Sequence, residues 1–307
     1  MSNTDLTEKV GVNCEIQTGC GAVGALIKPK DRDLGGFSVR RVLPNQQLKS
    51  IGPWVFFDHM GPATFAAGEG INVRPHPHIN IATVTYLFDG EILHKDSIGS
   101  VQSIRPGDLN LMVTGSGMVH SERESPEIKN QPHSAHGLQL WMALPEKDEE
   151  TAPAFYHYPA ADIPSTQVDG VLVRVMMGEA FGLRSPVKTF SPTLYIEAQL
   201  KAGQTLELPA ASQRGLYVVS GEVRFKDTIV TANTMVILKD AAGVILQARQ
   251  DTQIALVGGS DIGSRYIDWN FVSSRPERIE QAKHDWAAMR FPLIPSDNEE
   301  YIPYPSR

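Results

Sequence analysis

One short phrase occurs twice in this chain. Tyr86-Leu87-Phe88-Asp89-Gly90-Glu91-Ile92 is echoed by Tyr217-Val218-Val219-Ser220-Gly221-Glu222-Val223, and Lys95-Asp96-Ser97 has a rough counterpart in Lys226-Asp227-Thr228. Each copy is an apolar strand that runs into a glycine turn and returns. A hairpin frame repeated at that distance predicts two copies of one β-barrel module, not one large domain. The 307 residues are enough for two cores, and 26 glycines with 21 prolines supply the turns that an all-β chain needs.

The first copy is read as Phe37–Leu43, Val55–His59, His76–Phe88, Glu91–Ser97, Leu109–Val113, Met118–Glu122 and Leu138–Leu144. Breaks fall at Pro44-Asn45, Asp89-Gly90, Arg105-Pro106-Gly107-Asp108 and Gly115-Ser116-Gly117. Residues 145–170 hold the acidic run Glu146-Lys147-Asp148-Glu149-Glu150 and prolines 153, 159 and 164. This composition reads as a solvated linker, so the domains are placed at 1–148 and 149–307. Near the end, Ser274-Arg275-Pro276-Glu277 predicts a helix start, with Ser274 as cap. Ile279, Ala282, Trp286 and Met289 form the face that docks on a barrel. A proline-rich extended tail follows from Phe291.

A formal charge of −7 gives no basic footprint for nucleic acid. The opening MSNTDLTEKVGVN lacks the apolar core of a signal peptide, and no run reaches the ~18 apolar residues of a membrane span. Cytoplasm is the expected compartment, with no membrane partner. Cys14 and Cys20 are expected to be plain thiols.

Chemistry concentrates between Arg74 and Glu122. Residues two apart on a strand share a face, so His76 projects with His78, and His120 with Glu122. Two such strands side by side bring three imidazoles and one carboxylate together. That set suits iron, zinc, copper, manganese or nickel and leaves coordination positions open, which points to catalysis more than to a structural site. Counting back from the shared tyrosine, the second copy holds Glu207 and Pro209 at the positions of His76 and His78. No histidine falls between His157 and His284. The second copy is therefore expected to keep the frame without the metal. His59 and His94 are read as supporting the ligands or as simply hydrogen-bonded, His133, His136 and His157 as hydrogen-bonding residues in polar, loop-like stretches, and His284 as one on the C-terminal helix.

In these residues the chain resembles the pirins, a family of the cupin superfamily. The likeness runs through Phe57-Asp58-His59, His76-Pro77-His78, Thr83-Val84-Thr85-Tyr86-Leu87, His94-Lys95-Asp96-Ser97, Arg105-Pro106-Gly107-Asp108, Gly115-Ser116-Gly117 and His120-Ser121-Glu122. The resemblance implies two tandem cupin (jelly-roll) barrels. It also implies one divalent metal, iron(II) first, with Mn, Ni, Cu or Zn as alternatives, held by His76, His78, His120 and Glu122. The activity it implies is that of a quercetin 2,3-dioxygenase, with Glu122 accepting the proton of a flavonol hydroxyl and O2 as co-substrate. Some pirins instead act as iron-binding regulators of a protein partner. Many pirins follow the paired histidines with Arg-Gly-Phe-Glu, whereas this chain has Ile79-Asn80-Ile81-Ala82, so the pocket lining is expected to differ. An opening onto the metal is expected between the 63–70 loop and the 123–136 segment.

Overall fold

The computed structural model describes residues 15–18, 22–34, 36–46, 48–239 and 243–305; Cys14 and Cys20 lie outside them. The molecule is two tandem cupin-type barrels with a short helix, Pro276–Ala287, near its end. Each barrel closes a large sheet over a four-stranded one. In the first, Val73–His78, Met118–Arg123, Ile92–Asp96 and Val101–Ile104 lie side by side in that order. In the second, the same order runs Thr205–Glu207, Ile245–Ala248, Glu222–Phe225 and Thr228–Thr231. The repeated turn is what the two copies share. Gly90 and Gly221 both sit at positive φ, 88° and 85°, and a Cβ on either would strike backbone carbonyl oxygen at 2.4–2.5 Å.

The large sheets stack back to back. Val84, Tyr86, Leu111 and Leu140 of the first pack with Tyr195, Tyr217, Met235 and Val257 of the second in one apolar cluster. The repeated tyrosines thus face the partner barrel. The Tyr86 hydroxyl donates to Glu197 and accepts from Arg174 at 2.9 Å, while Tyr217 meets His59 Nδ1 at 3.0 Å.

Sheet membership does not follow chain order. Val23–Lys28 pairs with Thr234–Leu238 of the second barrel, and Ala154–Tyr158 pairs with Leu109–Val113 of the first. The C-terminal helix and tail also return to the first barrel. Ile279, Ala282, Trp286, Phe291 and Ile294 cover Ile79 and Val119.

Three local expectations are corrected. The acidic run is a clamp, not a solvated linker: Glu149, 1% exposed, meets Arg265 at 3.0 Å and accepts from Ser274, while Glu150 pairs with Arg275 and Arg278. Arg275, not Ser274, is the helix N-cap, because Ser274 is taken by Glu149. Met289 lies past the helix end at φ 54° and is 44% exposed, so it falls off the apolar stripe. No helix among the described residues is long and apolar enough to cross a membrane.

Candidate metal centre

Val73–His78 and Met118–Arg123 are antiparallel neighbours, with His76 directly opposite His120 and His78 opposite Met118. Alternation sends His76, His78 and His120 to the barrel interior. Their ring centroids are 5.0 Å apart for His76 and His78, 4.3 Å for His76 and His120, and 5.1 Å for His78 and His120. One ligand atom from each lies within 4.8 Å of the others, and all three residues are buried.

The outer contacts fix the rings. A carbonyl oxygen can only accept, so His76 Nδ1–H donates to Arg74 O at 2.8 Å and His78 Nδ1–H to Asn270 O at 3.0 Å. Each Nε2 is left as a bare lone pair, the form a metal takes. Those two atoms and both ring nitrogens of His120 are buried without a hydrogen-bond partner. Unpaired buried polar groups cost about 1–3 kcal/mol each. A cation takes one of these nitrogens from each of the three rings at once, so the residues fit a metal. Burial pushes His78 down to about 3 and His76 and His120 well below the ordinary imidazole range, which keeps them neutral.

Glu122 is 2% exposed and lies on the same strand, after a bulge between His120 and Glu122. It faces His94 across the ladder. The converging set is the three imidazoles; the Glu122 carboxylate is not among the atoms within 4.8 Å.

Sequence reading left His94 open as a neighbour of the ligands or a simple hydrogen-bonding residue, and missed Asp96, Phe155 and Trp141. His94 Nε2 lies 3.0 Å from Asp96, its ring stacks on Phe155 at 4.4 Å, and it stands 5.4 Å from His120. Burial raises the Asp96 carboxyl, but hydrogen bonds from His94 and Ser100 outweigh that and hold it below its usual range. The alternation of His94 and Asp96 with the ligand strands was a usable signal. Trp141, 4.8 Å from His78 and stacked on Phe56 at 3.9 Å, had none. His133, His136 and His157 stand on strands, not in loops.

The two segments expected to flank an opening are fastened together. Gly68 N donates to Lys129 O at 2.7 Å, and Glu124 packs under Gly70 and meets His133 at 3.0 Å. A cavity of about 620 Å³ lies elsewhere, in the second half, lined in part by Arg184, Phe190, Ser212 and Ser260. Asn80, in the stretch that departs from the family pattern, takes a φ of 57° and donates to Glu149 O at 2.6 Å.

Comparison with known proteins agrees with this geometry. Residues 36–142 match the Pirin family model, and residues 195–292 match the Pirin C-terminal cupin domain. A pirin-like protein of Caulobacter vibrioides is 42% identical over 278 residues, 89% of this chain and 96% of that protein. Human pirin is 31% identical over 261 residues, 82% of this chain and 87% of its own length. The crystal structure of a quercetin 2,3-dioxygenase from Acinetobacter baumannii superposes with a TM-score of 0.85 at 31% identity, covering 92% of this chain and 95% of that one. With two barrels in the same arrangement and relatives matched over nearly their whole length, the chain belongs to the pirin family.

Proposed function

We propose that this pirin is a metal-dependent dioxygenase that uses O2 to open the ring of a flavonol of the quercetin type or a related enediol-type small molecule. The observation that carries the reading is three buried, converging imidazoles whose Nε2 atoms have no hydrogen-bond partner. His76, His78, His120 and Glu122 hold one divalent transition metal in this reading. Iron(II) is proposed, with manganese, nickel, copper or zinc as the alternatives. The division of labour proposed is a metal-bearing unit at 1–148 and a degenerate cupin unit with helix and tail at 149–307, with Val23–Lys28 and Ala154–Tyr158 exchanged between their sheets.

The metal, when bound, supplies Lewis acidity and open positions for O2 and for an anionic substrate oxygen. The chain's own residues do the rest. Arg74 O and Asn270 O hold the His76 and His78 rings with Nε2 turned to the ion. Glu122, buried on the ligand strand, takes up the proton of the substrate hydroxyl. Trp141 and Phe155 pack against His78 and His94 and exclude water from that face.

A second reading, an iron-binding regulator acting through a protein partner, is favoured by one observation: every proposed ligand is at most 2% exposed. Anaerobic loading with Fe(II), then O2 uptake with quercetin beside a His76→Ala control, separates the two. Uptake and loss of flavonol absorbance in the wild type alone is the expected result. Metal bound at one per chain without turnover rejects the dioxygenase and leaves the regulator.

A further inference from the structure

The large sheet of the first barrel carries a polar row that its own frame does not need. Arg41, Asp58, Gln139, Thr85, Asn110 and His157 are paired in succession across six strands. The same ladder in the second barrel, aligned on Tyr86 and Tyr217, reads Val175, Ile196, Leu256, Leu216, Val236 and Leu26. Aliphatic residues therefore suffice to build the sheet. The polar row is an added feature, and it faces the interior, as does Trp141 two residues beyond Gln139.

Its hydrogen bonds are one-sided. The carboxylate and amide oxygens of the row are all used. Asp58 takes two bonds from Arg41 at 2.8 Å, Gln139 Oε1 takes the Thr85 hydroxyl at 2.9 Å, and Asn110 Oδ1 takes His157 Nδ1–H at 2.7 Å. What remains without a partner is donors: Asn110 Nδ2, Gln139 Nε2 and the adjacent Trp141 Nε1. Asn110 is 3%, Gln139 0% and Trp141 1% exposed. Buried donors left over on the two strands that flank Ile81–Asp89 call for acceptors from outside the chain. Flat rings, Trp141 on Phe56 and Phe155 on His94, lie one row nearer the histidines.

We propose that Asn110, Gln139 and Trp141 form the specificity row of the site. They donate to the keto, phenolate or carboxylate oxygens of a planar aromatic substrate whose other end meets the metal. The inference rests on the dioxygenase reading and deepens it by fixing the substrate's chemistry as acceptor-rich. A site built of donors rejects a ligand of the same shape that lacks acceptors, because its buried N–H groups then stay unpaired.

The test uses the full chain, metal-loaded and anaerobic, with quercetin as the acceptor-bearing probe and 2-phenylnaphthalene as its apolar counterpart. Gln139→Leu and Asn110→Val install the residues of the second barrel. Each is expected to keep wild-type metal content, to weaken quercetin at least about tenfold and to leave the hydrocarbon unchanged. Metal retained with wild-type quercetin affinity overturns the proposal. Should either variant fail to fold, the near-isosteric Gln139→Glu and Asn110→Asp replace donors by acceptors, and undiminished quercetin binding there overturns it equally. A wild type that binds metal but no quercetin overturns the dioxygenase reading together with the row, an outcome distinct from variants that match a binding wild type.

Discussion

The two barrels are built on one ladder and filled with opposite chemistry. Inside the four-stranded sheet of the first stand His76, His78, His94, Asp96, His120 and Glu122. Inside that of the second stand Leu206, Leu208, Val223, Phe225, Leu246 and Ala248, all in one apolar core. The second barrel shows what the frame needs to fold, and the first shows what can be loaded into it. Stability and site are therefore separable here, because the first barrel leans on the shared apolar interface and on the C-terminal segment for what its interior lacks.

The comparison can be broken most directly at the ligands. His76→Ala is expected to weaken metal binding by more than about 100-fold, beyond the loss of a mere outer-shell contact. Leu208→His in the second barrel should create no site, since Leu206, Leu246 and Ala248 offer nothing to share an ion. Elemental analysis after dialysis reads both, and metal gained by the second variant would show that the apolar barrel is more than frame. In unfolding titrations, Leu246→Ala should cost about 2–5 kcal/mol as a core cavity. His120→Leu should instead stabilise the metal-free protein by about 1–3 kcal/mol, by removing two buried unpaired nitrogens.

The seam between the barrels adds a pH dependence. Burial and the neighbouring His136 push His59 down to about 3, and burial lowers His136 as well. A histidine depressed in the folded state binds protons more readily when unfolded. The stability it lends is whole above pH 6.5 and drains away as pH falls toward 3. Between pH 7 and pH 5 this amounts to about 2 kcal/mol for His59. Urea midpoints at the two values check it, and a His59→Asn variant with the same slope would count against the assignment. The smallest effect is expected at the repeated turns. The pairs Arg105–Glu91 and Arg249–Glu222, each with an exposed arginine against a more buried glutamate, should each lose under about 1 kcal/mol on Arg→Ala in the same titrations, in either barrel.

The histidine pairs were legible because alternation on a strand is a local rule, and the tandem β frame was legible because its turn recurs. What failed was phase and partnership. Glu207, matched to His76 by counting, is exposed, and the inward residues are its neighbours Leu206 and Leu208. A change of one residue in the connection to the next strand flips every side chain to the other face. Glu149 read as solvent because its partner Arg265 is remote in sequence. Asn110, Thr85 and Gln139 sit on three strands, and only their pairing makes them a row. The exchange of Val23–Lys28 and Ala154–Tyr158 between barrels leaves no local trace at all.

The return of the C-terminal segment to the first barrel bears on how the protein is made. Asn270 O orients His78, Asp297 ties Ser121 and Arg123 on the outer side of the ligand strand, and Ile302 N–H holds Pro75 O. All three follow the second barrel in order of synthesis. A ribosome that has delivered every histidine of the site has not yet delivered the groups that aim and brace them. The site is therefore aimed and braced only after residues 270–302, which follow both barrels, have been made.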